Sequence, residues 1–377
     1  MEARRSIPYE PGLDGLRGVS IIGVLLFHAC ATSGLIGWFR GGNLGVSVFF
    51  TLSGFLITTL LTSERADGGR VHLARFWGRR IKRLVPASLT VVTAVVLLSR
   101  TSWFDARVSD AVAATWSYTN WHVIVSGQAR LLQTIVGPLG PTWSLAVEEQ
   151  FYVLLAVAVA LTAMVRRSDL ALAVVLGVVT VASVALSNVV SDWSPRLEFG
   201  TDVRAAELAV GGLLALAVRH RPSLPARRGI ALDVAGTVAA ATLVVLFLWA
   251  DYSPPWLLRG GFVVVACVSA TLVAAVLSHG RVHRVLSVPP LVAVGRWSYS
   301  LYLVHWPLFL VLSSDRTHLH GVPLVVVKLA AAVALALALH LLIEQPVRRR
   351  DIEPRVAVAG WLAGSAAVTV LALLLLG

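Results

Sequence analysis

The feature of this sequence that most constrains its fold is a succession of long apolar runs, many of them about 20 residues long. Hydrophobic residues make up 57% of the 377-residue chain and charged residues only 14%. A run of roughly 20 apolar residues crosses the hydrocarbon core of a bilayer as an α-helix, whereas a membrane β-barrel alternates apolar and polar residues. The sequence therefore predicts an all-α polytopic integral membrane protein.

Eleven apolar runs can be counted, so we expect about eleven transmembrane helices (ten or eleven) in a single domain over residues 1–377. The runs lie near residues 16–36, 44–63, 84–99, 143–165, 169–190, 204–219, 230–250, 260–279, 297–313, 322–344 and 356–376. Residues 101–142 form a longer connection with several tryptophans. Since aromatic residues favour the headgroup region, we expect an interfacial loop there that could include a short amphipathic helix.

The positive charges predict the orientation of the chain. With the N-terminus in the cytoplasm, 23 of the 32 lysines and arginines fall on the cytoplasmic side, eight fall outside and one lies within a helix. Cytoplasmic loops carry such an excess, so orientation explains the net charge of +12 and we expect no nucleic-acid partner. An odd number of helices then places the C-terminus outside.

The first apolar run contains Arg17 and His28, which bracket ten residues that are otherwise apolar or small. By helix geometry, His28 lies roughly 20° around the axis from Arg17 and about 16 Å along it. Arg17 would then lie at one membrane surface and His28 near mid-depth on the same face. An ionisable residue at that depth is a functional candidate, although a histidine bonded only to a neighbouring helix would give the same pattern.

Basic residues are dense in the first cytoplasmic loop, which contains Arg75, Arg79, Arg80 and Arg83. Guanidinium groups pair bidentately with phosphate, so several of them within two helical turns suit a polyanion. The alternative is that they only orient the chain and contact anionic lipid. No other loop has as many basic residues, and this density favours the anion site.

Two adjacent carboxylates, Glu148 and Glu149, begin the run near residues 143–165. Carboxylates in a membrane helix are costly unless they face a polar cavity. Glu148 lies roughly 10 Å from the outer surface by helix rise, close to the level expected for His28. A carboxylate beside an imidazole fixes its tautomer and stabilises the imidazolium. One of the two can instead cap the helix, and the sequence does not say which.

Ser298, Tyr302 and His305 are spaced four and three residues apart, so they share one face of a helix. His305 lies roughly 13 Å from the cytoplasmic end of that helix. We therefore expect His28 and His305 to face a shared cavity, with ordinary aromatic packing as the alternative. The histidines in loops show no ligand spacing, so we expect no metal; these are His279, His283, His318 and His320.

In their order along the chain, these segments resemble the acyltransferase 3 family of multi-spanning membrane O-acyltransferases. The resemblance is carried by Leu13–His28, Gly45–Ile57, Phe76–Arg83, Trp143–Tyr152 and Ser298–Pro307. The resemblance spans residues 13–346 and does not include the last apolar run. The family members that the chain resembles are of the standalone transmembrane form, which lacks a C-terminal esterase-like domain.

The resemblance implies transfer of an acyl group, most simply acetyl, from cytoplasmic acyl-CoA to a hydroxyl of a carbohydrate or another sugar-containing acceptor. Surface polysaccharides, glycolipids and macrolide-type metabolites are all compatible acceptors. His28 matches the histidine to which catalysis is assigned in the family, and Arg17 matches the arginine before it. The implied location is the bacterial cytoplasmic membrane, with acyl-CoA, the carbohydrate acceptor and membrane lipids as partners.

Our hypothesis is that His28 acts as general base on the acceptor hydroxyl. Glu148 or Glu149 would orient its imidazole, and Tyr302 or His305 would donate to the oxyanion. Direct transfer is favoured over an acyl-histidine intermediate, although the sequence does not separate the two.

The donor would bind on the cytoplasmic side. The CoA phosphates would contact chiefly Arg79, Arg80 and Arg83, with Arg17 near the mouth of the cavity. The extended pantetheine arm suits the separation of about 16 Å between Arg17 and His28.

The alternative function is a proton-coupled transporter or flippase for a lipid-linked sugar or a small metabolite, with the intramembrane His and Glu as a proton relay. That function predicts inverted repeats and discontinuous helices, which the hydropathy does not indicate. It also leaves the arginine cluster without a specific role. The acyl group, the acceptor and the oligomeric state stay open.

Overall fold

The computed structural model describes residues 9–68, 72–101, 103–126, 137–191, 195–219, 226–252 and 254–377. Within these ranges the chain is built of helices and contains no strand. Nine of the described helices are long and apolar enough to cross a membrane. The prediction of an all-α polytopic membrane protein is therefore confirmed.

In chain order, the helices are α1 (Pro11–Ala31), α2 (Gly45–Gly68), α3 (Leu73–Ser99), α4 (Val108–Thr115), α5 (Thr119–Ser126), α6 (Thr142–Thr162), α7 (Ser168–Val189), α8 (Arg196–Phe199), α9 (Thr201–Arg219), α10 (Ala226–Trp249), α11 (Phe262–Leu277), α12 (Arg281–Leu286), α13 (Pro289–Val311), α14 (Ser314–Thr317), α15 (Gly321–Leu339), α16 (Gln345–Arg349) and α17 (Pro354–Leu376). A 3₁₀ turn at Gly42–Leu44 leads into α2, and the segments Leu257–Gly261 and His340–Glu344 have π-helical hydrogen bonding.

Two of these helices, α9 and α13, lie where the sequence predicts apolar runs but are not among the nine. Both carry buried polar side chains; Arg204 and Glu207 lie on α9, and Ser300 and His305 lie on α13. Helices with buried polar groups need partners inside the protein, so these two are the first places to look for a site.

The first helix ends earlier than the sequence predicts. Its apolar run continues to about residue 36, but α1 ends at Ala31. Gly34 has a positive φ of 86°, and the Leu35 N–H bonds the Cys30 carbonyl oxygen at 2.9 Å. A left-handed glycine with this bond is the usual way to stop a helix. His28 therefore lies in the last turn of α1.

The third helix begins earlier than expected. The segment that the sequence assigns to a basic loop forms the first turns of α3, which starts at Leu73. Leucine, alanine and arginine are good helix formers, so the residues before the apolar run extend the helix. The longer connection after α3 contains two short helices, α4 and α5.

The described chain falls into two compact units, each assembled from separate stretches of sequence. The first contains residues 1–24, 39–71 and 150–296, and the second contains residues 25–38, 72–149 and 297–377. Helices α1, α6 and α13 contribute residues to both. The prediction of a single domain over residues 1–377 stays a prediction.

In the first unit, α2 and α9 cross in close contact through glycines. A Cβ added at Gly54 would lie 1.9 Å from the Leu208 carbonyl oxygen, and one at Gly211 would lie 1.9 Å from that of Thr51. Small residues allow membrane helices to approach at backbone distance. Gly54 belongs to one of the segments that carry the family resemblance. Its close contact with α9 explains why a residue without a side chain is needed there.

In the second unit, α17 packs along α3 and α4. Its core consists of small aliphatic side chains, among them Val92 and Val95 of α3, Ala111 of α4, and Val368 and Ala372 of α17. The polar groups described below lie outside this core, on the N-terminal part of α3 and the second half of α13.

We predict that Gly54→Ala destabilises the protein by about 1–3 kcal/mol, because the added methyl group would force α2 away from α9. The measurement is thermal unfolding of the purified protein in detergent. Gly177→Ala is the matched control, since a Cβ on that α7 residue meets open space and alanine favours a helix. Equal behaviour of the two variants would contradict this account of the α2–α9 contact.

Candidate active site

Two histidines of the second unit are in direct contact. Nδ1 of His28 lies 3.2 Å from Nε2 of His305, and their ring centroids are 5.1 Å apart. His305 is completely buried and His28 is half-buried. The structure thus brings together two site residues that the sequence places on separate helices.

The hydrogen bonds of His305 determine which nitrogens carry protons. Its Nδ1 lies 2.7 Å from the carbonyl oxygen of Tyr302, and a carbonyl only accepts, so this nitrogen carries a proton. Charging a completely buried imidazole is costly, so Nε2 of His305 holds a lone pair and accepts the Nδ1 proton of His28. In a neutral His28, this contact leaves the basic lone pair on Nε2, which is the form that can remove a proton from a hydroxyl.

A buried lysine holds the end of the helix that carries His28. Nζ of Lys328, on α15, donates to the Thr32 carbonyl oxygen at 2.9 Å, to the Thr32 hydroxyl at 2.8 Å and to the Ser33 hydroxyl at 3.2 Å. The Thr32 hydroxyl donates in turn to the His28 carbonyl oxygen at 2.6 Å. The last carbonyls of a helix need such partners, so Lys328 positions the backbone at His28.

Tyr302, which shares a face of α13 with His305, belongs to a second hydrogen-bonded group. The Tyr302 hydroxyl lies 2.8 Å from the Pro141 carbonyl oxygen and 2.7 Å from the Ser144 hydroxyl. Either hydroxyl can be the donor between Ser144 and Tyr302, since Ser144 also lies 3.4 Å from the Pro141 carbonyl oxygen. Ser298 is buried one turn before Tyr302. Ser144 was not singled out from the sequence, because a serine beside a tryptophan gives no local signal.

A small, mostly apolar recess lies beside this group in the second unit. It is lined by Val91, Leu139, Pro141, Tyr302 and Trp306, among other residues. The ring of Trp306 is 5.0 Å from that of His28, centroid to centroid, and its Nε1 donates to the Gly137 carbonyl oxygen at 3.1 Å. The recess therefore borders a side chain that touches the histidine pair.

The basic residues of α3 lie on two faces. Arg75 and Arg79 are exposed, whereas Arg80 and Arg83 are half-buried on the face that carries the completely buried Phe76. The guanidinium of Arg80 lies 5.9 Å from the centre of the Phe76 ring. The cluster therefore divides into an inward pair and an exposed pair.

The inward arginines lie in a buried polar region. The Tyr299 hydroxyl donates to the Leu84 carbonyl oxygen at 2.7 Å, and the charges of Arg80, Arg83, Glu149 and Glu344 all act on it. Charged groups are retained in such surroundings when they pair or serve a ligand.

The structure gives different surroundings for the two adjacent carboxylates of α6. Glu149 accepts a hydrogen bond from Ser117 and also interacts electrostatically with Arg80. Glu148 lies half-buried on the same helix. The assignment of either residue to the His28 imidazole stays a prediction.

Glu344 belongs to a buried network in the same unit. It accepts from Ser300 at 2.9 Å and lies 2.8 Å from Nδ1 of His340, while Nε2 of His340 lies 2.9 Å from the Gln345 amide nitrogen. These contacts lie at a π-helical segment, a local structure that is frequent at functional sites. His340 was missed from the sequence, because it lies within an apolar run without a visible partner.

Arg17 lies on α1 eleven residues before His28, in the part of the helix that belongs to the first unit. Its guanidinium bonds the Asp14 carboxylate at 3.0 Å. The Tyr9 hydroxyl donates to the same carboxylate at 2.9 Å. The predicted role of Arg17 in binding the donor stays a prediction.

Comparison with known proteins gives a consistent result. Residues 10–341 match the model of acyltransferase family 3, described as an acyltransferase domain. The chain is 31% identical over 388 residues to O-acetyltransferase OatA of Staphylococcus aureus strain NCTC 8325, an alignment that covers 100% of this chain and 63% of the relative. OatA of strain MRSA252 is 31% identical over 365 residues, covering 94% and 59%. The chain thus spans less than two thirds of these relatives. No solved structure matches the chain.

We predict that Lys328→Met lowers the free energy of unfolding by about 1–3 kcal/mol, because the Thr32 carbonyl and the Ser33 hydroxyl lose a charged donor. Thermal unfolding in detergent is the measurement. Lys82→Met is the control, since this lysine bonds only the exposed Arg350 carbonyl among the contacts that the structure gives for it. If the Lys328 variant were as stable as the Lys82 variant, the proposal that Lys328 stabilises the C-terminal end of α1 would be contradicted.

Proposed function

The chain belongs to the acyltransferase 3 family, and from that premise we propose that it is a membrane O-acyltransferase. We propose that it moves an acyl group, acetyl in the simplest case, from acyl-CoA to a hydroxyl of a carbohydrate or sugar-containing acceptor. The single observation that carries this proposal is the His28–His305 pair, whose contacts are compatible with a neutral His28 that has its basic lone pair on Nε2. The names of the aligned O-acetyltransferases support the same reaction class.

In the proposed reaction, Nε2 of His28 removes the proton of the acceptor hydroxyl as its oxygen attacks the thioester carbonyl. The new C–O bond forms, the C–S bond breaks, and the imidazolium returns its proton to the leaving thiolate. His305 is a positioning residue in this scheme, because it holds the Nδ1–H of His28. Glu148 or Glu149 keeps the proposed role of stabilising the imidazolium.

For the donor, we assign the CoA phosphates to α3, with Arg80 and Arg83 as the principal contacts. Their half-buried guanidinium groups can meet a ligand that enters the unit, and guanidinium groups pair bidentately with phosphate. Arg75 and Arg79 would attract the anion from solvent. Arg17 remains a candidate for the same ligand.

For the acceptor, we assign the side of the site formed by Ser298, Tyr302 and the recess near Trp306. The Tyr302 hydroxyl is already hydrogen-bonded, and Nε2 of His305 is an acceptor, so oxyanion donation by either requires its hydrogen bonds to rearrange. We therefore give both residues a positioning role first and keep oxyanion stabilisation as the second possibility.

We place the enzyme in a bacterial cytoplasmic membrane, with the arginine cluster facing the cytoplasm where acyl-CoA is found. The two-histidine contact also suits proton relay in a transporter. The two functions differ in whether acyl-CoA is bound and consumed, and the experiments below separate them.

We predict that His28→Ala lowers acyl transfer by about 10²–10⁴-fold, because the general base is lost. The measurement is transfer of labelled acetyl from acetyl-CoA by protein reconstituted in vesicles, with acetyl-CoA binding as a separate readout that should be retained. His320→Ala, in an exposed loop, is the control. Full activity of a folded His28→Ala variant would refute the assignment.

His305 is tested by two substitutions in the same assay. His305→Gln keeps an acceptor for His28 and should retain much more activity than His305→Leu, which has none. A purely structural role would make the two variants lose activity in proportion to their loss of thermal stability.

We predict that the Arg80→Ala/Arg83→Ala double variant weakens acetyl-CoA binding by about 10–100-fold, the value of one to two charge-assisted hydrogen bonds. Equilibrium binding to detergent-purified protein is the measurement. Arg348→Ala/Arg349→Ala is the matched control, since these two residues follow an apolar run and are basic but not buried. Wild-type protein that binds no acetyl-CoA would instead favour transport through the histidine pair.

A further inference from the structure

A second histidine pair lies in the first unit. Nε2 of His279 lies 3.1 Å from one Glu10 carboxylate oxygen, and Nδ1 of His283 lies 3.0 Å from the other. The two rings have centroids 4.7 Å apart. The three ligand-type atoms all lie within 4.8 Å of one another. The sequence does not reveal this set, because Glu10 comes before α1 and the histidines flank the start of α12.

The ring nitrogens that face away from Glu10 also have partners. Nδ1 of His279 lies 3.0 Å from the Leu277 carbonyl oxygen, and Nε2 of His283 lies 3.3 Å from the Ser287 hydroxyl. A carbonyl only accepts, so His279 carries its proton on Nδ1 and, when neutral, directs the lone pair of Nε2 at the carboxylate. Metal-binding histidines characteristically donate the other ring N–H to a carbonyl or hydroxyl in this way.

Two imidazole nitrogens and a carboxylate converge at this point. When His279 is neutral, the lone pair of its Nε2 faces a Glu10 oxygen. A divalent ion fits between the three side chains, since neutral imidazole nitrogens and a carboxylate are its ordinary ligands.

The backbone holds the two histidines in place. His279 has a positive φ of 57°, which is uncommon for a residue other than glycine. The Asp233 carboxylate accepts from the Val282 N–H at 3.0 Å, which fixes the start of α12 between the two histidines. A strained residue held by its surroundings is a feature found at functional sites.

We propose that Glu10, His279 and His283 form a binding site for a divalent transition-metal ion of the Zn²⁺ class. One Glu10 oxygen, Nε2 of His279 and Nδ1 of His283 are the three protein ligands, and water completes the tetrahedron. Tetrahedral ligands at the usual Zn–N distance are about 3.3 Å apart. The contacts of 3.1 Å from His279 and 3.0 Å from His283, each to a different Glu10 oxygen, are close to that spacing. The ion joins the segment before α1 to the connection between α11 and α12.

The test is titration of the full-length, EDTA-treated protein in detergent with Zn²⁺ alone, followed by competition with a chromogenic chelator and by thermal unfolding. We expect one ion per chain and a rise in Tm. His283→Ala and the isosteric Glu10→Gln should each weaken binding by about 10–100-fold or more and abolish the rise. His318→Ala should behave as wild type, since His318 is another exposed histidine with positive φ.

Less than one tight site per chain in the wild type would overturn the proposal, as would tight binding that survives both substitutions. A metal-free protein whose Tm does not respond to Zn²⁺ would show that the cluster is a His–Glu contact without a metal. Zn²⁺ binding needs no acyl-CoA, so its outcome is independent of the proposed transferase activity.

Discussion

A polar side chain in a membrane-spanning helix must find its hydrogen-bond partners within the protein, because hydrocarbon offers none. The described part of this chain meets that requirement with specific contacts. His305 is bonded on both ring nitrogens, Arg204 pairs with Glu207 and stacks 3.7 Å from the centre of the Phe262 ring, and Lys328 bonds three oxygen atoms. Each contact fixes the orientation of a side chain, because a polar group in an apolar environment needs a partner.

Local sequence patterns predicted the features that depend only on residues close together in the chain. Apolar runs gave the helical membrane fold, and helix rise placed His28 and His305 at similar depths although they are far apart in the sequence. The ends of helices were less predictable, since they depend on single residues. Gly34 stops α1 within the apolar run, and the basic residues before the third run continue its helix as α3.

The residues missed from the sequence are those whose meaning depends on a distant partner. In the sequence, Lys328 is a single lysine within an aliphatic run, and only the structure shows its contact with Thr32. Ser144 likewise belongs to the candidate site only because its hydroxyl contacts Tyr302. Glu10 and His279 share no motif. The expectation that a carboxylate orients His28 stays a prediction. The hydrogen bond of His305 to a backbone carbonyl is visible only in the structure.

The position of His28 in the last turn of α1 has an electrostatic consequence. The C-terminal end of a helix dipole is negative and favours a nearby cation by about 0.3–1 kcal/mol. In the proposed reaction, the imidazolium of His28 would benefit from it, but the ammonium of Lys328 already binds the same helix end. Two cations would then compete for one dipole. The proton taken from the acceptor would be held only briefly and passed on to the departing thiolate, which returns the base to its neutral form for the next turnover.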